Sequence, residues 1–241
     1  DSGTATFMLL GQECTRACRF CSVVTLAKPA LPDPEEPKKL AASVSQLKLK
    51  YAVLTTVDRD DLPDQGAAHI AKCINSLHLA QPNLFIELLM PDFQGENVLI
   101  EQMADLPLKV LGHNLECVES LTCKVRDPRA SYEQSLKVLR VIKQAKPQML
   151  TKSSLMLGLG ETKEEVLEAM ADLRSVGVDY LTLGQYLQPT KTKLPVERYV
   201  TPEEFKNFQV LGEEMGFAYV ASGPLVRSSY KAFEFYMMGV V

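Results

Sequence analysis

Three of the six cysteines in this 241-residue chain lie within eight residues of one another. Cys14, Cys18 and Cys21 have the spacing CxxxCxxC in the segment CTRACRFC, and no further cysteine or histidine lies close to them in the sequence. Thiolates this close can bind one soft metal centre. A structural zinc site normally has four ligands, whereas three thiolates on a [4Fe–4S] cluster leave one iron free for a substrate or cofactor. The spacing alone leaves three interpretations open: an iron–sulfur cluster, zinc with a distant fourth ligand, or chance packing of three thiols.

The composition is that of a compact domain with a core of its own. Hydrophobic residues make up 46% of the chain and charged residues 23%, and a chain of this size has little need of disulfides, so we expect a reduced, intracellular protein. The net charge of −4 lacks the basic excess that nonspecific phosphate binding requires, and we expect no nucleic-acid partner. No apolar run approaches the roughly 20 residues of a membrane span, and no export signal is visible at the start, so we expect no membrane association.

Short apolar segments rich in branched residues alternate with amphipathic stretches, which is typical of βα units and a parallel sheet. Capping-box patterns at Thr162 and Thr201 mark two helix starts. Six units predict an α/β fold, a partial (β/α)6 TIM-like barrel, with an open doubly wound sheet as the alternative. The proline-rich residues 26–39 and the stretch from Ala221 onward are expected to be irregular. The predicted strands are Phe7–Gly11, Tyr51–Val57, Leu84–Pro91, Lys109–Glu116, Thr151–Leu159 and Tyr180–Leu187.

The triplet follows the first predicted strand and has the aromatic Phe20 before its last cysteine, and in this it resembles the signature of the radical S-adenosylmethionine (SAM) superfamily. Further segments resemble the lipoyl synthase family and run in the same order along nearly the whole chain. They are TATFMLLG, TTVDRDDLPD, LMPDFQG, GHNLE, KVRDPRASYEQSLKVL, KSSLMLGLGET, LTLGQYLQPT and SGPLVRSSYKA. The resemblance favours the iron–sulfur interpretation and a barrel of the radical SAM type. It implies that Cys14, Cys18 and Cys21 bind a [4Fe–4S] cluster whose fourth iron is chelated by the amino and carboxylate groups of SAM.

The resemblance also implies an enzymatic activity, that of a sulfurtransferase. A reduced cluster would cleave SAM to methionine and a 5′-deoxyadenosyl radical, which can take hydrogen from unactivated carbons. The implied reaction inserts two sulfur atoms at C6 and C8 of an octanoyl-lysine chain on a lipoyl carrier domain or on the glycine cleavage H protein. Ferredoxin or flavodoxin is the implied kind of electron donor, and a bacterial cytoplasm the implied compartment, with mitochondrial matrix or plastid as alternatives. The alternative functions are another radical SAM sulfur insertion, such as a biotin synthase-like one, and a non-catalytic zinc or iron–sulfur binding module.

Two polar pairs are candidate SAM contacts. Asn114 and Glu116 lie two apart on a predicted strand, so both side chains share a face; the resemblance assigns them to the ribose, whereas the residues alone fit a solvated strand end. Thr56 and Asp58 begin a charged loop that would otherwise be a solvated surface, and the resemblance places them at the amino end of SAM. Arg126 could bind a carboxylate through two N–H groups, either that of SAM or a local acid, with a surface salt bridge as the alternative.

The run GLGE contributes three further candidates, Gly158, Gly160 and Glu161. Glycines between a strand and a helix let the backbone approach a ligand, and the helix N-terminus favours an anionic or lone-pair partner. A plain strand-to-helix turn is the alternative. The resemblance places this run near the adenosine.

The motif RSSY, Arg227–Tyr230, reads as a turn or helix cap from its residues alone. The resemblance implies that Ser229 is an oxygen ligand of a second, auxiliary [4Fe–4S] cluster, which supplies both sulfur atoms. In that family three more cysteines, spaced CxxxxCxxxxxC, precede the TATFMLLG segment, and we expect them upstream of Asp1 in a longer protein. The expected organisation is a barrel over residues 1–220 and a tail carrying RSSY over residues 221–241.

The remaining cysteines and one histidine have plainer interpretations. Cys117 and Cys123 could be imagined as auxiliary ligands, but free cysteine is commonly a small buried hydrophobe. Cys73, in a predicted helix, is expected to lie in the core. His113 is expected to be structural.

Overall fold

The computed structural model describes residues 3–229, and its main feature is one parallel sheet of seven strands. The strands are β1 (Thr4–Leu9), β4 (Tyr51–Thr56), β5 (Phe85–Leu89), β6 (Val110–Gly112), β7 (Leu150–Leu157), β8 (Tyr180–Gln185) and β9 (Tyr219–Gly223). They pair in this order, and every pairing is parallel. A separate two-residue pairing joins β2 (Glu13–Cys14) to β3 (Val24–Thr25). The α/β fold with helical crossovers is confirmed, with one strand more than the six predicted.

The seventh strand corrects the expectation that the chain is irregular from Ala221 onward. Tyr219–Gly223 pairs in parallel with β8 and spans the boundary expected between barrel and tail. Its sequence, YVASG, is short and ends in small residues, so it carries a weak strand pattern of its own. Pairing with β8 supplies the hydrogen bonds that the local sequence does not predict. Residues 230–241 of the expected tail lie outside the described part of the chain.

Helices cover the connections between the strands. They are α1 (Glu36–Leu47), α2 (Ala67–Ala80), α3 (Asn97–Ala104), α4 (Thr122–Val125), α5 (Tyr132–Ala145), α6 (Lys163–Ser175) and α7 (Pro202–Glu214). The capping boxes at Thr162 and Thr201 are both present. Helix α1 begins inside the proline-rich stretch expected to be irregular, because Pro37 lies in its first turn, where a missing N–H costs nothing. None of the helices among residues 3–229 has the length and apolar character needed to cross a bilayer.

The two faces of the sheet differ in composition. One face carries Leu54, Ile86 and Leu88, which pack with the helices in the main core. Alternate positions point to the other face, where Glu87 of β5 meets Lys152 of β7 at 2.8 Å, with both side chains at most 5% exposed. Because β6 lies between these two strands, this ion pair bridges non-neighbouring strands on the inner side of the curl.

Candidate functional site

The cysteine triplet lies where the chain leaves the carboxyl end of β1. Leu10 and Gly11 both have positive φ angles, +69° and +91°, a conformation that glycine adopts at little cost. Cys14 then follows in the short strand β2. The turn therefore sends the thiol-bearing loop across the end of the sheet, where ligands of such folds collect.

Backbone hydrogen bonds hold this loop to neighbouring strand-end segments. The amide of Thr15 donates to the carbonyl of Asp58 at 3.0 Å, after β4. The amide of Ala17 donates to the Asp127 carboxylate at 2.8 Å. The loop is thus fixed at two points between Cys14 and Cys18.

Each of the three sulfur atoms accepts a backbone N–H. The donors to Cys14, Cys18 and Cys21 are the amides of Arg16, Asp127 and Val23, at 3.4, 3.4 and 3.5 Å. Hydrogen bonds to cysteine sulfur stabilise thiolate character and are one of the features that set the potential of an iron–sulfur cluster. This donor set fits thiolate ligands better than three thiols packed by chance.

The spread of the thiols also bears on which metal centre they suit. A tetrahedral zinc ion with Zn–S bonds of about 2.3 Å would bring its sulfur ligands to about 3.8 Å from one another. Among residues 3–229, the donor atoms of Glu36, His69 and Cys73 all lie within 4.8 Å of one another, as the ligands of one ion would. The three cysteines of the triplet do not form such a group. At least two of the three sulfur atoms are therefore more than 4.8 Å apart, which is wider than the spacing around one zinc ion.

Burial makes the uncomplexed thiols weak acids. Loss of solvent, with a smaller effect of the Asp58 charge, raises the pKa of Cys14 to about 11. Loss of solvent likewise raises the pKa of Cys18 to about 12. Since metal ligands must be deprotonated, loading this site releases protons and becomes less favourable as the pH falls.

A cavity of about 130 Å³ opens beside Cys18 at the carboxyl end of the sheet. Five of the eight residues expected to contact SAM line it: Thr56, Asp58, Asn114, Glu116 and Arg126. The structure thus brings residues from the ends of β4, β6 and α4 to one cavity next to a thiol.

Asn114 and Glu116 reach this cavity by a route that differs from the expectation. Strand β6 ends at Gly112, so the two residues do not share a strand face. Glu116 has a φ of +72° and forms an isolated parallel bridge with Leu155 of β7. This turn brings the two side chains together, and Asn114 Nδ2 donates to Glu116 Oε1 at 3.1 Å. Burial raises the pKa of Glu116 above its usual value, while the positive charge of Arg126 opposes the shift.

Arg126 is buried, which excludes the surface salt bridge considered for it. Its Nη1 donates to Ser135 Oγ at 2.8 Å and to two main-chain carbonyls at 3.4 Å. Ser135 Oγ also lies 2.9 Å from His113 Nε2, and His113 Nδ1 lies 3.1 Å from the carbonyl of Met90. Burial lowers the pKa of His113 to about 4, so the histidine is neutral at pH 7 and holds Arg126 through the serine.

The GLGE run lies away from the cavity beside Cys18. The Glu161 carboxylate accepts the amides of Gly158 at 2.6 Å and Leu159 at 2.9 Å. A Cβ at Gly158 would lie 2.2 Å from Gln185 Nε2 and 2.4 Å from the carbonyl of Arg198. Close packing explains this glycine, and contact of Gly158, Gly160 and Glu161 with SAM stays a prediction.

A second cavity, of about 350 Å³, adjoins the first and shares Phe20, Asn114 and Glu116 with it. Cys21 lines this cavity, as do Arg227 and Ser228 of the RSSY motif. Ser229 is half-buried beside them, and Tyr230 lies outside the described residues. Ser229, the predicted ligand of the auxiliary cluster, thus directly follows Ser228, which lines the second cavity.

The other cysteines are placed apart from one another. Cys117 and Cys73 are buried, whereas Cys123 is exposed. Cys73 lies in the main core, as expected. Because Cys117 is buried and Cys123 is exposed, the two cysteines do not form one ligand site.

Sequence reasoning missed a group of charged residues that hold the cysteine loop. Arg16 lies between two of the cysteines and binds carboxylates that follow β4 and β5. The acids occur in the segments VDRDD and PDF, directly after apolar strands, and this position was the available signal. Their role becomes visible only when the loops meet.

Comparison with known proteins agrees with this arrangement. The model of the radical SAM superfamily matches residues 8–173. A mitochondrial lipoyl synthase of Culex quinquefasciatus is 56% identical over 99% of this chain and 63% of its own length. The lipoyl synthase of Thermus thermophilus is 56% identical over 95% of this chain and 71% of its own. An apicoplast lipoyl synthase of Toxoplasma gondii is 54% identical over the whole chain, which spans 44% of that protein.

Two solved structures show the same fold at low sequence identity. The FeFe-hydrogenase maturase HydG of Carboxydothermus hydrogenoformans superposes with a TM-score of 0.71 and 13% identity, over 98% of this chain and 56% of that one. Methylornithine synthase has a TM-score of 0.67 and 12% identity, over 95% and 75% of the two chains. The fold, the superfamily signature and the high identity to the curated relatives lead to one conclusion. This chain belongs to the lipoyl synthase family of the radical SAM superfamily.

Proposed function

We propose that this chain is the radical-generating core of a lipoyl synthase that inserts two sulfur atoms at C6 and C8 of a protein-bound octanoyl-lysine chain. Radical SAM proteins carry a [4Fe–4S] cluster and use SAM, and here Cys14, Cys18 and Cys21 would hold the cluster. The observation that carries the proposal is the thiol triplet, in which each sulfur accepts a hydrogen bond from a backbone N–H, beside a cavity lined by five of the expected SAM contacts.

The residues around the first cavity would bind and orient SAM. When bound and reduced, the cluster supplies the electron that cleaves the sulfonium bond of SAM. Asp58 offers a carboxylate to the amino group, and the Asn114–Glu116 pair offers an amide and a carboxylate to the ribose hydroxyls. Burial, together with repulsion by Asp92 and Asp60, raises the pKa of Asp58 to about 6 although Arg16 opposes the shift. A cationic amino group in the cavity would restore the ionised form, since opposite charges favour it.

The second cavity would take the octanoyl chain. Its lining contains apolar side chains that suit an alkyl substrate. These are Phe20, Leu155, Met156, Tyr186, Leu187, Pro189 and Val226. With an alkyl chain bound, this apolar part of the lining would exclude water from the space around it.

The partners in this proposal follow from the reaction. The substrate would be an octanoylated lipoyl carrier domain or the glycine cleavage H protein, and the electron would come from a ferredoxin or flavodoxin. An auxiliary [4Fe–4S] cluster, with Ser229 and three cysteines upstream of Asp1, would supply the sulfur. We infer a bacterial cytoplasm as the compartment, with mitochondrial matrix or plastid as alternatives. Relatives that are 54–56% identical include proteins named as mitochondrial and apicoplast lipoyl synthases.

The test uses protein expressed from the complete gene, reconstituted anaerobically with iron and sulfide, reduced, and given SAM and an octanoyl-lysine peptide. We expect 5′-deoxyadenosine, methionine and a peptide carrying two added sulfur atoms, each measured by mass spectrometry. Cleavage of SAM without sulfur insertion into this peptide would favour another radical SAM activity. Bound zinc without SAM cleavage would favour a binding module.

The variant Cys18→Ala tests the site itself. Loss of one of three ligands should abolish cluster binding and SAM cleavage, since three thiolates are the minimum that leaves one iron open. The matched control is Cys123→Ala, which removes an exposed cysteine and should keep both. Retained SAM cleavage by Cys18→Ala under reducing, anaerobic conditions would contradict the assignment.

A further inference from the structure

Arg16 is a buried cation inside the cysteine loop, between Cys14 and Cys18. Its side chain is only 3% exposed. A buried guanidinium costs free energy unless it is paired and hydrogen-bonded. Three carboxylates surround it: Asp58 and Asp60 from the loop after β4, and Asp92 from the loop after β5.

The geometry of these contacts uses the whole guanidinium. Nη1 and Nη2 bind the two oxygens of Asp92 at 2.6 and 2.7 Å. Nε and Nη2 bind the two oxygens of Asp60 at 3.1 and 2.8 Å. Nη1 also lies 3.5 Å from Asp58. A guanidinium has five N–H donors, and four hydrogen bonds run from this one to Asp60 and Asp92.

The carboxylates are themselves held in place. Asp60 accepts the hydroxyl of Thr15 at 2.7 Å, and Asp92 accepts Gln134 Nε2 at 2.7 Å. The backbone amide of Gln94 donates to Asp92 at 2.9 Å. Because Gln94 and Gln134 lie outside the cysteine loop, they hold Asp92 independently of Arg16, and Asp92 thus helps to define where Arg16 and the loop around it lie.

The position of Arg16 is coupled to the first thiol by two contacts. Its own amide donates to Cys14 Sγ at 3.4 Å. As an uncomplexed thiol, Cys14 also donates a hydrogen bond to Asp58, which faces the guanidinium, at 3.7 Å. A shift of the guanidinium would therefore move both groups that contact Cys14.

We propose that Arg16 is a positioning residue that holds Cys14, and the loop that leads on to Cys18, in the arrangement that accepts the cluster. Arg16 borders the cavity, but its donors are directed at carboxylates, so it acts through the loop rather than by binding SAM. The inference rests on the proposed function for the identity of the cluster. It adds an acidic cage, formed by Asp58, Asp60 and Asp92, as the structure that preorganises the ligands.

The test compares Arg16→Lys with wild-type holoprotein. Lysine keeps the charge but lacks the planar fork that binds two carboxylates at once. We expect the affinity for the cluster to fall about 10- to 100-fold, the range seen when groups that orient metal ligands are removed, and the cluster therefore to be lost to a chelator faster than from wild type. We also expect an altered electron paramagnetic resonance signal of the reduced cluster with SAM. The melting temperature of the cluster-free protein reports separately on folding.

The matched control is Arg19→Lys in the same loop. Arg19 is exposed, and its side chain makes one hydrogen bond, at 3.2 Å, to the carbonyl of Lys124. This variant should keep the wild-type rate of cluster loss and the wild-type signal. Equal rates and signals for Arg16→Lys and wild type would overturn the proposal.

A second variant decides the outcome if Arg16→Lys does not fold. Asp92→Asn keeps the shape of the cage and removes one charge, and it should also lose the cluster faster than wild type. Wild-type retention by a folded Asp92→Asn protein would overturn the proposal. Failure of the wild-type protein to bind any cluster would instead contradict the proposed function, and the two failures are thereby distinguished.

Discussion

At the scale of single residues, much of the candidate site follows from residue type and position. The spacing singles out Cys14, Cys18 and Cys21 as candidate metal ligands, whereas Thr56 and Asp58 became candidate SAM contacts through the family resemblance. Arg16 is different, because an arginine between two cysteines looks like an ordinary surface charge until the carboxylates that bury it are known. Its partners lie 44 and 76 residues away, and a contact over that separation has no local sequence signal.

The Asn114–Glu116 pair yields a prediction about SAM affinity. Glu116→Gln removes the charge that would accept a ribose hydroxyl while keeping the shape of the side chain. A hydrogen bond to a charged group contributes about 1.5–3 kcal/mol, so SAM binding should weaken by about tenfold or more. Equilibrium binding of SAM to the holoprotein measures the change.

The control for this variant is Glu119→Gln, three residues along the chain at an exposed position. It should bind SAM as the wild type does. Equal affinity of Glu116→Gln and wild type would remove Glu116 from the SAM site and leave its contact with Asn114 as a structural one.

Ser229 carries a prediction that separates two steps of the reaction. In protein from the complete gene, Ser229→Ala should impair sulfur insertion more than formation of 5′-deoxyadenosine, because the proposed serine ligand serves the auxiliary cluster alone. Product ratios by mass spectrometry measure this split. Ser175→Ala, at the exposed end of α6, serves as the control, and a wild-type ratio for Ser229→Ala would refute the role.

At the scale of elements, the sequence predicts the strands that have strong apolar patterns and misses those that depend on partners. β4 and β8 begin where predicted, at Tyr51 and Tyr180, since each is apolar on both faces. β9 was not predicted because its residues have a weak strand pattern, and backbone pairing with β8 stabilises it instead. β6 ends four residues before the predicted Glu116, because Glu116 adopts a positive φ that a strand pattern cannot reveal.

The loop between β7 and α6 gives a prediction on stability. Both Gly158 and Gly216 have a positive φ, +97° and +88°. A Cβ added at Gly158 would clash with Gln185 and Arg198, whereas a Cβ added at Gly216 would have no atom within 4 Å. Gly216→Ala should cost about 1 kcal/mol in free energy of unfolding, from backbone strain alone. Gly158→Ala should cost several times as much, because the backbone near Arg198 must also shift. Denaturant unfolding of both variants measures the difference, and equal losses would show that strain rather than packing requires the glycine.

At the scale of the whole molecule, the curl of the sheet determines whether the separate strand ends meet. The site needs residues from the ends of β1, β4 and β6 at one cavity, and an open, flatter sheet would separate them. The Glu87–Lys152 pair connects β5 to β7 across the inner face, and Tyr51 donates to the other oxygen of Glu87 at 2.7 Å. No periodicity in the sequence predicts this bridge, since an acid and a base inside apolar strands read as exceptions to the pattern.

The bridge leads to the last prediction. Glu87→Gln removes the carboxylate that pairs with the buried Lys152 ammonium, and removing one partner of a buried pair costs about 3–5 kcal/mol of unfolding free energy. Replacing both partners, in Glu87→Gln with Lys152→Met, should restore part of that loss because no uncompensated charge remains. The half-exposed pair of Lys124 and Glu197, at 3.0 Å, provides the control, and Glu197→Gln should cost less than about 1 kcal/mol. Denaturant unfolding measures all three, and a loss for Glu87→Gln no larger than that of Glu197→Gln would show that the curl is held by the helices and their core instead.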